Sequence, residues 1–570
     1  MFAAKEEIRV ILEAASGSPV SIDDVKESSM ADLCSPIAFR LAKERKMNPA
    51  QIAEEIAGKI KAAGIIREVK TEKGYINFYL DYGKLLSPLI HEIRAKGDDF
   101  GGGRKRKEKI ILEHTSINPS GPVHIGRLRN SLIGDSLARI LKFSGYHVET
   151  HYYVNDVGKQ IAIIAQGFAE KIAPDEGTEK EYHKYKRKPD FHVFFEYVAA
   201  NRMFESDPAF AQRVQQSIYA AENGDSHALD AITKVAQQCL KGQKEIFDLL
   251  DIRFDAFDFE SKYIRDGSVK EVLDFLRKSR FAQEADGGFG LDLSSFDLAR
   301  RGGLSMLARR DGTSVYLARD IAYHLEKMHL GDRLVSVLGE DHKFEFLELK
   351  TILSEAYGKK LDMDVVHYSF VSFEGMELST RKGQTAPVDK LVDEAIAKAE
   401  SEIEKRKIAS KDIAPLIGIG AIKYHILKTA PQKQIAFKWD EALSFEGESA
   451  PYIQYAHARC CSILEKADID PKTIKIRDIF EDLMKNEDEL IMKLGKFPEV
   501  VESAATELKP NIIAAYLYEL ASSYSRFYIQ CPVLSAEHHV KERRLLLVDA
   551  TRQVIRNGLA LLGINAPTQM

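Results

Sequence analysis

Cysteine is scarce in this sequence, and its few positions are scattered. The 570 residues contain five cysteines, Cys34, Cys239, Cys460, Cys461 and Cys531, and no C-x-x-C pair. Such spacing argues against a structural zinc site and against a disulfide framework. We therefore expect reduced, mostly buried thiols and no structural zinc.

A long apolar run and a strong net charge are also missing. No stretch is apolar for the roughly 20 residues that a membrane-spanning helix needs. The start, MFAAKEEIRVILEAASG, carries charges among its apolar positions, which predicts an amphipathic helix rather than a signal peptide. The formal net charge is -5, so a nucleic acid would have to be bound by local basic patches. These absences predict a cytoplasmic protein with no membrane partner.

The length of the chain predicts several domains, because 570 residues exceed the size at which one hydrophobic core stops growing. Residues 1–95 combine helical periodicity with the strand-like alternation of Gly74–Leu80, which predicts a small α+β unit. Residues 108–405 begin with a strand, a turn-rich loop and a long helix, the first unit of a parallel α/β sheet, and carry a helical insertion at about 160–250. In residues 410–570 almost every segment shows an amphipathic helical pattern, which predicts an all-helical bundle.

The most informative segment, EHTSINPSGPVHIGRLRN, places His124 in a Gly- and Pro-rich loop at the start of a helix. A helix start offers free N–H groups and the positive end of the helix dipole, which favour phosphate. Gly121 and Gly126 let a ligand approach the backbone, and the apolar stripe of the helix leaves His124, Arg127 and Asn130 on another face. An isolated match of this kind more often marks a polar residue near a helix start than a phosphate site. The rest of the sequence must therefore decide between these two interpretations.

A second polar segment, GMELSTRKGQTAP, lies far downstream and just before the predicted bundle. It places Ser379, Arg381 and Lys382 in one loop. On its own such a loop is usually a solvated basic turn. Its position at the end of the sheet domain favours phosphate binding instead.

Both segments resemble signature regions of class I aminoacyl-tRNA synthetases, the first of them the HIGH signature. The words E-H-T-S-x-N-P, Y-Y-V-N-D and S-T-R-K-G resemble the arginyl members, and the resemblance extends over nearly the whole chain. It implies a Rossmann-like catalytic domain that activates L-arginine with ATP, with Mg²⁺ carried on the nucleotide, and transfers it to the 3′ end of tRNA(Arg). We expect L-arginine, ATP and tRNA(Arg) as partners, and a monomer.

The same resemblance implies roles for residues of both segments. The cationic and polar groups that stabilise the reacting phosphates would be His124, Arg127, Arg381 and Lys382. Residues of the same two loops would bind ATP: Pro122, His124, Gly126, Arg127, Ser379 and Lys382.

Two positions depart from the family pattern. Arg127 replaces the second histidine of the first signature; it can bind a polyphosphate as a charged fork but cannot act as a neutral imidazole. Glu377 and Leu378 stand where the family's loop often has Lys and Met, so the first lysine of that loop is absent. Lys107 or Lys109, just before the first strand, is a candidate to replace it.

An arginine substrate needs a carboxylate that faces its planar guanidinium. By resemblance, Tyr316 and Asp320, one helical turn apart in SVYLARD, grip the side chain, whereas Glu113 and Asn118 hold the other polar groups of the amino acid.

Structural alternatives to these roles are open. Glu113 could cap the loop that follows it, and Asp320 could pair with Arg319 or Lys327 on a helix surface.

Gly339, Asp341 and His342, in VLGEDHKFEF, follow a second-half strand. We expect them to border the nucleotide or amino-acid pocket. A metal-dependent hydrolase built on Asp341 and His342 is a competing hypothesis, but the sequence has no helical H-x-x-x-H or comparable ligand set.

The last segments of the chain, among them GESAPYIQYAHARCCSIL and RLLLVDATRQVIRNGLALLGINAPTQM, resemble the anticodon-binding domain of the same family. We expect most of their aromatic rings to be core, and one or two, such as Tyr452 and Tyr524, to touch RNA together with Met570. The N-terminal unit resembles the family's domain that contacts the corner of the tRNA, although such a unit could equally be a neutral packing module.

Two further functions compete with this interpretation. Another class I synthetase or nucleotidyltransferase would share the His124 region but should lack the S-T-R-K-G loop and the Tyr316–Asp320 pair, both of which are present. A non-enzymatic RNA-binding descendant is suggested by Arg127 and by the absent loop lysine. Loss of activity usually erodes several motifs together, and here they remain recognisable.

Overall fold

The computed structural model of the chain describes residues 2–28, 30–285, 287–298, 303–359, 362–373, 386–406, 410–476 and 480–570. Within these ranges the elements follow the order expected from sequence, from a small sheet unit through a parallel sheet with inserted helices to a helical bundle.

The N-terminal unit packs helices against an antiparallel sheet. Its helices are α1 (Phe2–Ser16), α2 (Ile37–Arg45), α3 (Pro49–Lys59) and α4 (Tyr82–Lys96). Its strands are β1 (Lys26–Glu27), β2 (Leu33–Ser35), β3 (Ile66–Glu72) and β4 (Tyr75–Leu80), in the order β1-β2-β4-β3. The sequence predicted β4 because Ile76, Phe78 and Leu80 alternate with outward residues and are fully buried.

The first half of the central sheet begins after this unit. Strand β5 (Lys109–Glu113) leads through the loop 114–124 into helix α5 (Ile125–Phe143), and β6 (His147–Val154) runs parallel to β5. Helix α5 lies very close to the loop that precedes it. A Cβ at Gly134 would stand 2.1 Å from the ring of His114, so this packing requires glycine.

Helices interrupt the sheet after β6. They are α6 (Lys159–Ala169), α7 (Glu176–Glu181), α8 (Pro189–Ser206), α9 (Pro208–Glu222) and α10 (Ser226–Leu249), and the chain then returns to the sheet as β7 (Ala256–Phe259). These helices enclose a hydrophobic core of their own, which includes Ile164, Val193, Phe210 and Cys239.

The second half supplies the remaining strands of the central sheet. It comprises α11 (Glu260–Arg265), α12 (Ser268–Leu276), β8 (Ala282–Ala285), β9 (Gly288–Leu291), β10 (Ser305–Arg309), α13 (Tyr316–Leu330), β11 (Arg333–Gly339), α14 (Lys343–Glu355) and β12 (Asp362–Tyr368). The central sheet has the order β12-β11-β5-β6-β7, and every pair is parallel. Strands β8, β9 and β10 form a separate antiparallel sheet that the sequence did not predict, because β8 is mostly exposed and β9 is glycine-rich.

The C-terminal part is a bundle of helices with one strand. After β13 (Val371–Phe373) come α15 (Val388–Arg406), α16 (Ala414–Leu427), β14 (Ile435–Phe437), α17 (Trp439–Ala442), α18 (Ala450–Lys466), α19 (Lys485–Glu507), α20 (Asn511–Gln530) and α21 (His538–Leu561). The expected helical bundle is confirmed, and one short strand that the sequence did not predict, β14, stands before α17 and pairs in parallel with β13. Three residues are too few to show a strand period, and the partner strand alone makes this segment extended.

The end of the chain is fixed to both the bundle and the sheet domain. Gln454 Nε2 donates to the carbonyl oxygen of Asn565 at 2.9 Å, and His457 Nδ1 donates to that of Pro567 at 2.9 Å. Ser136 on α5 donates to the carbonyl oxygen of Leu561 at 2.9 Å. The helix that starts at the His124 loop thus rests on the last turns of the bundle.

All five cysteines are free thiols; Cys461 is partly exposed and the other four are buried, which confirms the expectation of mostly buried thiols. Among the residues that the structure describes, no helix is both long and apolar enough to span a membrane.

Candidate active site

The candidate site lies where the central sheet changes direction. The chain proceeds from β5 to β6 on one side and returns at β11 on the other, so β5 and β11 are neighbours, with Ser336 beside Glu113. In open parallel sheets, ligands bind outside the carboxyl ends of the strands at such a switch point. The loop that carries His124 starts at the carboxyl end of β5 and therefore occupies this place.

His124 is the N-cap residue of α5. Its Nδ1 accepts a hydrogen bond from the backbone N–H of Gly126 at 2.9 Å, so in the neutral ring the proton lies on Nε2. Burial, together with the nearby charge of Arg127, lowers the pKa of His124. The site thus presents an imidazole N–H donor at the positive end of the α5 dipole, which favours phosphate oxygens. The backbone N–H groups of the first turn of α5 already donate within the protein, so they are not the free donors that the sequence predicted.

The residues that follow the second predicted loop, 386–388, form backbone hydrogen bonds with the His124 loop. The backbone N–H of Ile125 donates to the carbonyl oxygen of Ala386 at 3.0 Å, and that of Val388 donates to the carbonyl oxygen of Val123 at 2.8 Å. His124 and Pro387 form an antiparallel bridge between them. The structure therefore brings the start of α15 against the first signature.

Ser379, Arg381 and Lys382, which the sequence assigns to phosphate, lie outside the described residues. The described residues on either side are Phe373, at the end of β13, and Ala386, beside the His124 loop.

Two buried side chains that the sequence did not predict hold the His124 loop in place. Gln243 of α10 donates from Nε2 to the carbonyl oxygen of Gly121 at 2.8 Å, and its Oε1 accepts from the hydroxyl of Tyr152 at 3.1 Å. The same hydroxyl lies 3.3 Å from the carbonyl oxygen of Ile117. No local signal pointed to Gln243, because it lies 122 positions after Gly121.

The polar residues on the open face of α5 separate into two roles. Arg127 is exposed, and its guanidinium lies 3.5 Å from the hydroxyl of Tyr368 at the end of β12. Asn130 is buried instead: its Oδ1 accepts from the N–H of Thr115 at 2.9 Å, and its Nδ2 donates to the carbonyl oxygen of Val337 at 3.0 Å. Arg127 can therefore reach a ligand, whereas Asn130 ties α5 to β11 and to the loop.

Neither Lys107 nor Lys109 can replace the absent loop lysine, contrary to the suggestion from sequence. Lys109 opens β5 and its ammonium pairs with Glu149 at 2.6 Å, and Lys107 precedes it. Both lie at the amino end of β5, and five residues of strand put roughly 15 Å between them and the cleft.

Glu113 closes β5 and is buried beside α13. Its carboxylate forms an ion pair with the ammonium of Lys327, rather than capping its own loop. The other alternative also fails, because Arg319 pairs with Glu260 and Lys327 is occupied by Glu113, so neither is the partner of Asp320.

Asp320 is the carboxylate of this cleft that lacks an internal cation. Its side chain makes no hydrogen bond or ion pair with any residue that the structure describes, and it is partly exposed. Burial raises the pKa of Asp320 to about 7, and the charges of Glu260 and Glu113 contribute in the same direction. A cationic ligand beside Asp320 would relieve this repulsion.

Tyr316 begins α13 and is 55% exposed, yet one side of its ring is supported. The guanidinium of Arg319 lies 4.9 Å from the ring centroid. Arg319 itself is buried, where it pairs with Glu260 and donates to Ser314 Oγ at 3.0 Å. This chain of contacts gives an exposed aromatic ring a defined position one helical turn from Asp320.

Asn118 lies exposed in the His124 loop and donates from Nδ2 to Gln160 Oε1 at 2.8 Å. Pro122 is buried in the same loop. A Cβ at Gly126 would lie 3.0 Å from Nδ1 of His124, so a larger residue would disturb the imidazole.

Gly339, Asp341 and His342 lie at the carboxyl end of β11, the neighbour of β5. Gly339 ends the strand, and the side chains of Asp341 and His342 are about half exposed in the turn that follows. No three His, Cys, Asp or Glu side chains are grouped as metal ligands in the part of the chain that the structure describes, which gives the hydrolase hypothesis no support.

The aromatic residues of the bundle differ in exposure. Tyr524, which the sequence assigned to RNA, is fully buried with its ring 6.1 Å from that of Phe527, so it cannot stack on a base. Tyr452 is half-buried, and its hydroxyl donates to Ser525 Oγ at 3.1 Å. Met570 is partly buried against the core.

A partly exposed cation–aromatic cluster, in which only Tyr528 is exposed, lies on the bundle. The guanidinium of Arg459 lies 4.6 Å from the ring centroid of Tyr455 and 4.4 Å from that of Tyr528. Tyr455 and Arg459 are one helical turn apart on α18, so the sequence could have predicted their contact. Tyr528 lies on α20, and its contact with Arg459 depends on how the two helices pack.

Comparison with known families assigns each part of the chain. Residues 90–439 match the model of the class I (R) tRNA synthetase catalytic domain, residues 3–80 the arginyl tRNA synthetase N-terminal domain, and residues 453–570 the DALR anticodon-binding domain.

Similar proteins cover the whole length. The arginine–tRNA ligase of Methanocaldococcus jannaschii is 41% identical over 97% of this chain and 96% of its own. That of Methanocella arvoryzae is 40% identical over 99% and 98%. The solved arginyl-tRNA synthetase of Thermus thermophilus has a TM-score of 0.80 at 27% identity and covers 99% of this chain and 100% of its own.

A parallel sheet with a histidine signature at its switch point, joined to a helical anticodon-binding domain, defines a class I aminoacyl-tRNA synthetase. The matches to the N-terminal, catalytic and anticodon-binding domain models indicate one family within this class. The chain belongs to the arginyl-tRNA synthetase family.

Proposed function

We propose that this arginine–tRNA ligase carries out its reaction in the cleft at the carboxyl ends of β5 and β11, with Asp320 as the group that recognises the guanidinium of L-arginine. The observation that carries the proposal is the state of Asp320. It has a raised pKa and no cation in contact with it among the described residues, and it lies in a cleft where the start of α5 offers an imidazole N–H and the positive end of a helix dipole.

The reaction consists of two transfers. A carboxylate oxygen of L-arginine attacks the α-phosphorus of ATP, and the bond to the bridging oxygen breaks, which gives arginyl-adenylate and pyrophosphate. A hydroxyl of the terminal ribose of tRNA(Arg) then attacks the acyl carbon, loses its proton and displaces AMP. Neither transfer requires a nucleophilic side chain, so catalysis rests on alignment and on stabilisation of developing charge.

The phosphates are met by groups of both signatures. His124 donates from Nε2, and Arg127 supplies a charged fork from the exposed face of α5. Pro122 and Gly126 shape the loop beneath the nucleotide. Ser379, Arg381 and Lys382 contribute from the second signature. Class I synthetases use ATP with Mg²⁺, and here the ion accompanies the nucleotide.

The amino acid is held from two sides. Asp320 takes the guanidinium in a charge-assisted hydrogen bond, with the ring of Tyr316 beside it. Glu113 and Asn118, at the two ends of one loop segment, hold the α-ammonium and carboxylate. Gly339, Asp341 and His342 border the pocket from β11.

The remaining units bind tRNA(Arg). We assign the catalytic unit to 108–405, with its insertion at about 160–250, and the RNA-contacting units to 1–95 and 410–570. The cluster of Tyr455, Arg459 and Tyr528 supports anticodon contact, because the ring of Tyr528 is exposed beside a cation. We assign Tyr452 and Met570 to the same function. The enzyme acts as a cytoplasmic monomer.

One assay tests the proposal. Purified protein is given ATP, Mg²⁺, labelled L-arginine and transcripts of several tRNAs, with labelled L-lysine in parallel. The expected result is acid-precipitable arginine on tRNA(Arg) alone, with little lysine attached. Charging of another amino acid, or no charging by protein with a cooperative thermal unfolding transition, would contradict it. Asp320→Asn is the matched variant, and it should lose arginine affinity while it keeps that for ATP.

A further inference from the structure

A lysine is buried behind the proposed arginine pocket. Lys327 of α13 is 1% exposed, although lysine is almost never fully buried without a partner. Its ammonium pairs with the carboxylate of Glu113 and lies 4.3 Å from the ring centroid of Tyr323. The side chain therefore contacts the inner side of Glu113 and is shielded from the cleft.

The neighbouring carboxylates differ in how they are neutralised. Glu113 has Lys327, and Glu260 has Arg319. Asp258 accepts from the hydroxyl of Tyr323 at 2.9 Å and lies 2.7 Å from Nδ1 of His151. Of the acidic groups around α13 named here, Asp320 alone has no such partner among the described residues.

Asp320 and Lys327 lie on one stripe of α13. Tyr316, Asp320, Tyr323 and Lys327 stand at i, i+4, i+7 and i+11, which places them on one side of the helix. This stripe runs from the exposed Tyr316 to the buried Lys327. The same helix thereby supplies a carboxylate that a ligand can reach, Asp320, and a buried cation that a ligand cannot contact, Lys327.

We propose that Lys327 is a positioning residue for the substrate: its ammonium fixes the carboxylate of Glu113 at the end of β5, so that Glu113 binds the α-ammonium of L-arginine and Asp320 remains for the guanidinium. The inference rests on the proposed function, in which this cleft binds L-arginine. Lys327 acts through Glu113, whose side chain is 10% exposed and is the outer member of the pair.

Removal of the ammonium has a specific consequence. A carboxylate left in a buried position without a cation is strongly disfavoured, so it takes up a proton or turns away. Either change removes the fixed negative charge that the α-ammonium would meet. The contacts of ATP with the His124 loop do not involve Lys327, so binding of the nucleotide should be spared.

The test compares two lysines that each form an ion pair between α13 and another element. Lys327→Met removes the buried ammonium of α13 that pairs with Glu113 of β5. Lys262→Met removes a half-exposed ammonium of α11 that pairs with Glu326 of α13. Steady-state aminoacylation should show the KM for L-arginine raised about tenfold or more in Lys327→Met, with the KM for ATP changed by less than about twofold. Lys262→Met should match the wild type, and Lys327→Arg, which keeps a cation, should recover most of the loss.

A second set of variants separates positioning from folding. If Lys327 acts through Glu113, the addition of Lys327→Met to Glu113→Gln should raise the KM for L-arginine little further. This double variant also removes the unpaired buried charge, so it remains measurable if Lys327→Met alone fails to fold. An equal rise in both backgrounds, or a folded Lys327→Met with the wild-type KM, would overturn the inference. A wild-type protein that does not charge tRNA with arginine would refute the proposed function instead.

Discussion

The Nδ1 atom of His124 lies 2.9 Å from the backbone nitrogen of Gly126 and accepts its hydrogen bond. This contact fixes the imidazole as the tautomer that carries its proton on Nε2 when neutral. The proposed role of His124 follows from this tautomer, because Nε2–H is the donor that we assign to the phosphates.

His124→Ala should lower kcat for aminoacylation by about 100-fold to 1,000-fold, because it removes a donor aimed at charge that develops in the transition state. The KM for L-arginine should change little. Steady-state kinetics with saturating tRNA measure both. His147→Ala, at an exposed position at the amino end of β6, is the control and should be neutral. Equal kcat values for the two variants would exclude His124 from the reaction.

Arg127→Ala should raise the KM for ATP by about tenfold, since an exposed guanidinium with a 3.5 Å contact to Tyr368 is free to bind phosphate. Arg127→His should keep most of the activity, because either side chain can donate to a phosphate oxygen. The matched control is Arg253→Ala at another exposed arginine. A folded but inactive Arg127→His would show that the site is built around arginine at this position.

The KM for L-arginine should fall as pH rises through about 7, the pKa of Asp320. The sign follows from the raised pKa: below it the carboxyl is protonated in the free enzyme, and a cationic substrate favours the ionised form. Initial rates between about pH 6 and pH 8 measure this dependence. Asp320→Asn should show a high KM without the transition, whereas Glu326→Gln, on the exposed side of α13, should behave like the wild type. A transition that persists in Asp320→Asn would assign it to another group.

Gln243→Leu should lower both stability and kcat. The change removes two buried hydrogen bonds and leaves the carbonyl oxygen of Gly121 with only the weak thiol donor of Cys239, at a cost of about 1–3 kcal/mol, and it loosens the His124 loop. Urea unfolding and steady-state kinetics measure the two effects. Gln238→Leu removes an exposed glutamine from the same helix α10 and should leave both unchanged. A stability loss without any change in kcat would limit Gln243 to a structural role.

Tyr528→Ala should raise the KM for tRNA by about fivefold or more, if its ring stacks on an unpaired base. The KM values for L-arginine and ATP should stay the same, since the ring lies in the bundle. Tyr219→Ala, at a 52% exposed tyrosine in the insertion, controls for loss of an exposed ring. An unchanged KM for tRNA would remove the Tyr455–Arg459–Tyr528 cluster from the RNA-contacting surface.

The sequence by itself determined the order of the main elements and the family. Its alternation predicted β4, an apolar run predicted β11, and its turn-rich loop placed His124 at the start of α5, because these patterns depend on neighbours within a few residues. The two signatures and the Tyr316–Asp320 spacing indicated the family that the comparisons then established.

Only the tertiary structure decided which partner each buried group has. Lys327 meets Glu113, Gln243 meets Gly121, and β14 becomes a strand beside β13 through contacts between distant parts of the chain. Tyr524 is buried and Tyr528 is exposed, although both lie on one aromatic-rich helix. The physical reason is that ion pairing and burial depend on which surfaces meet after folding, whereas local patterns record only the period of each element.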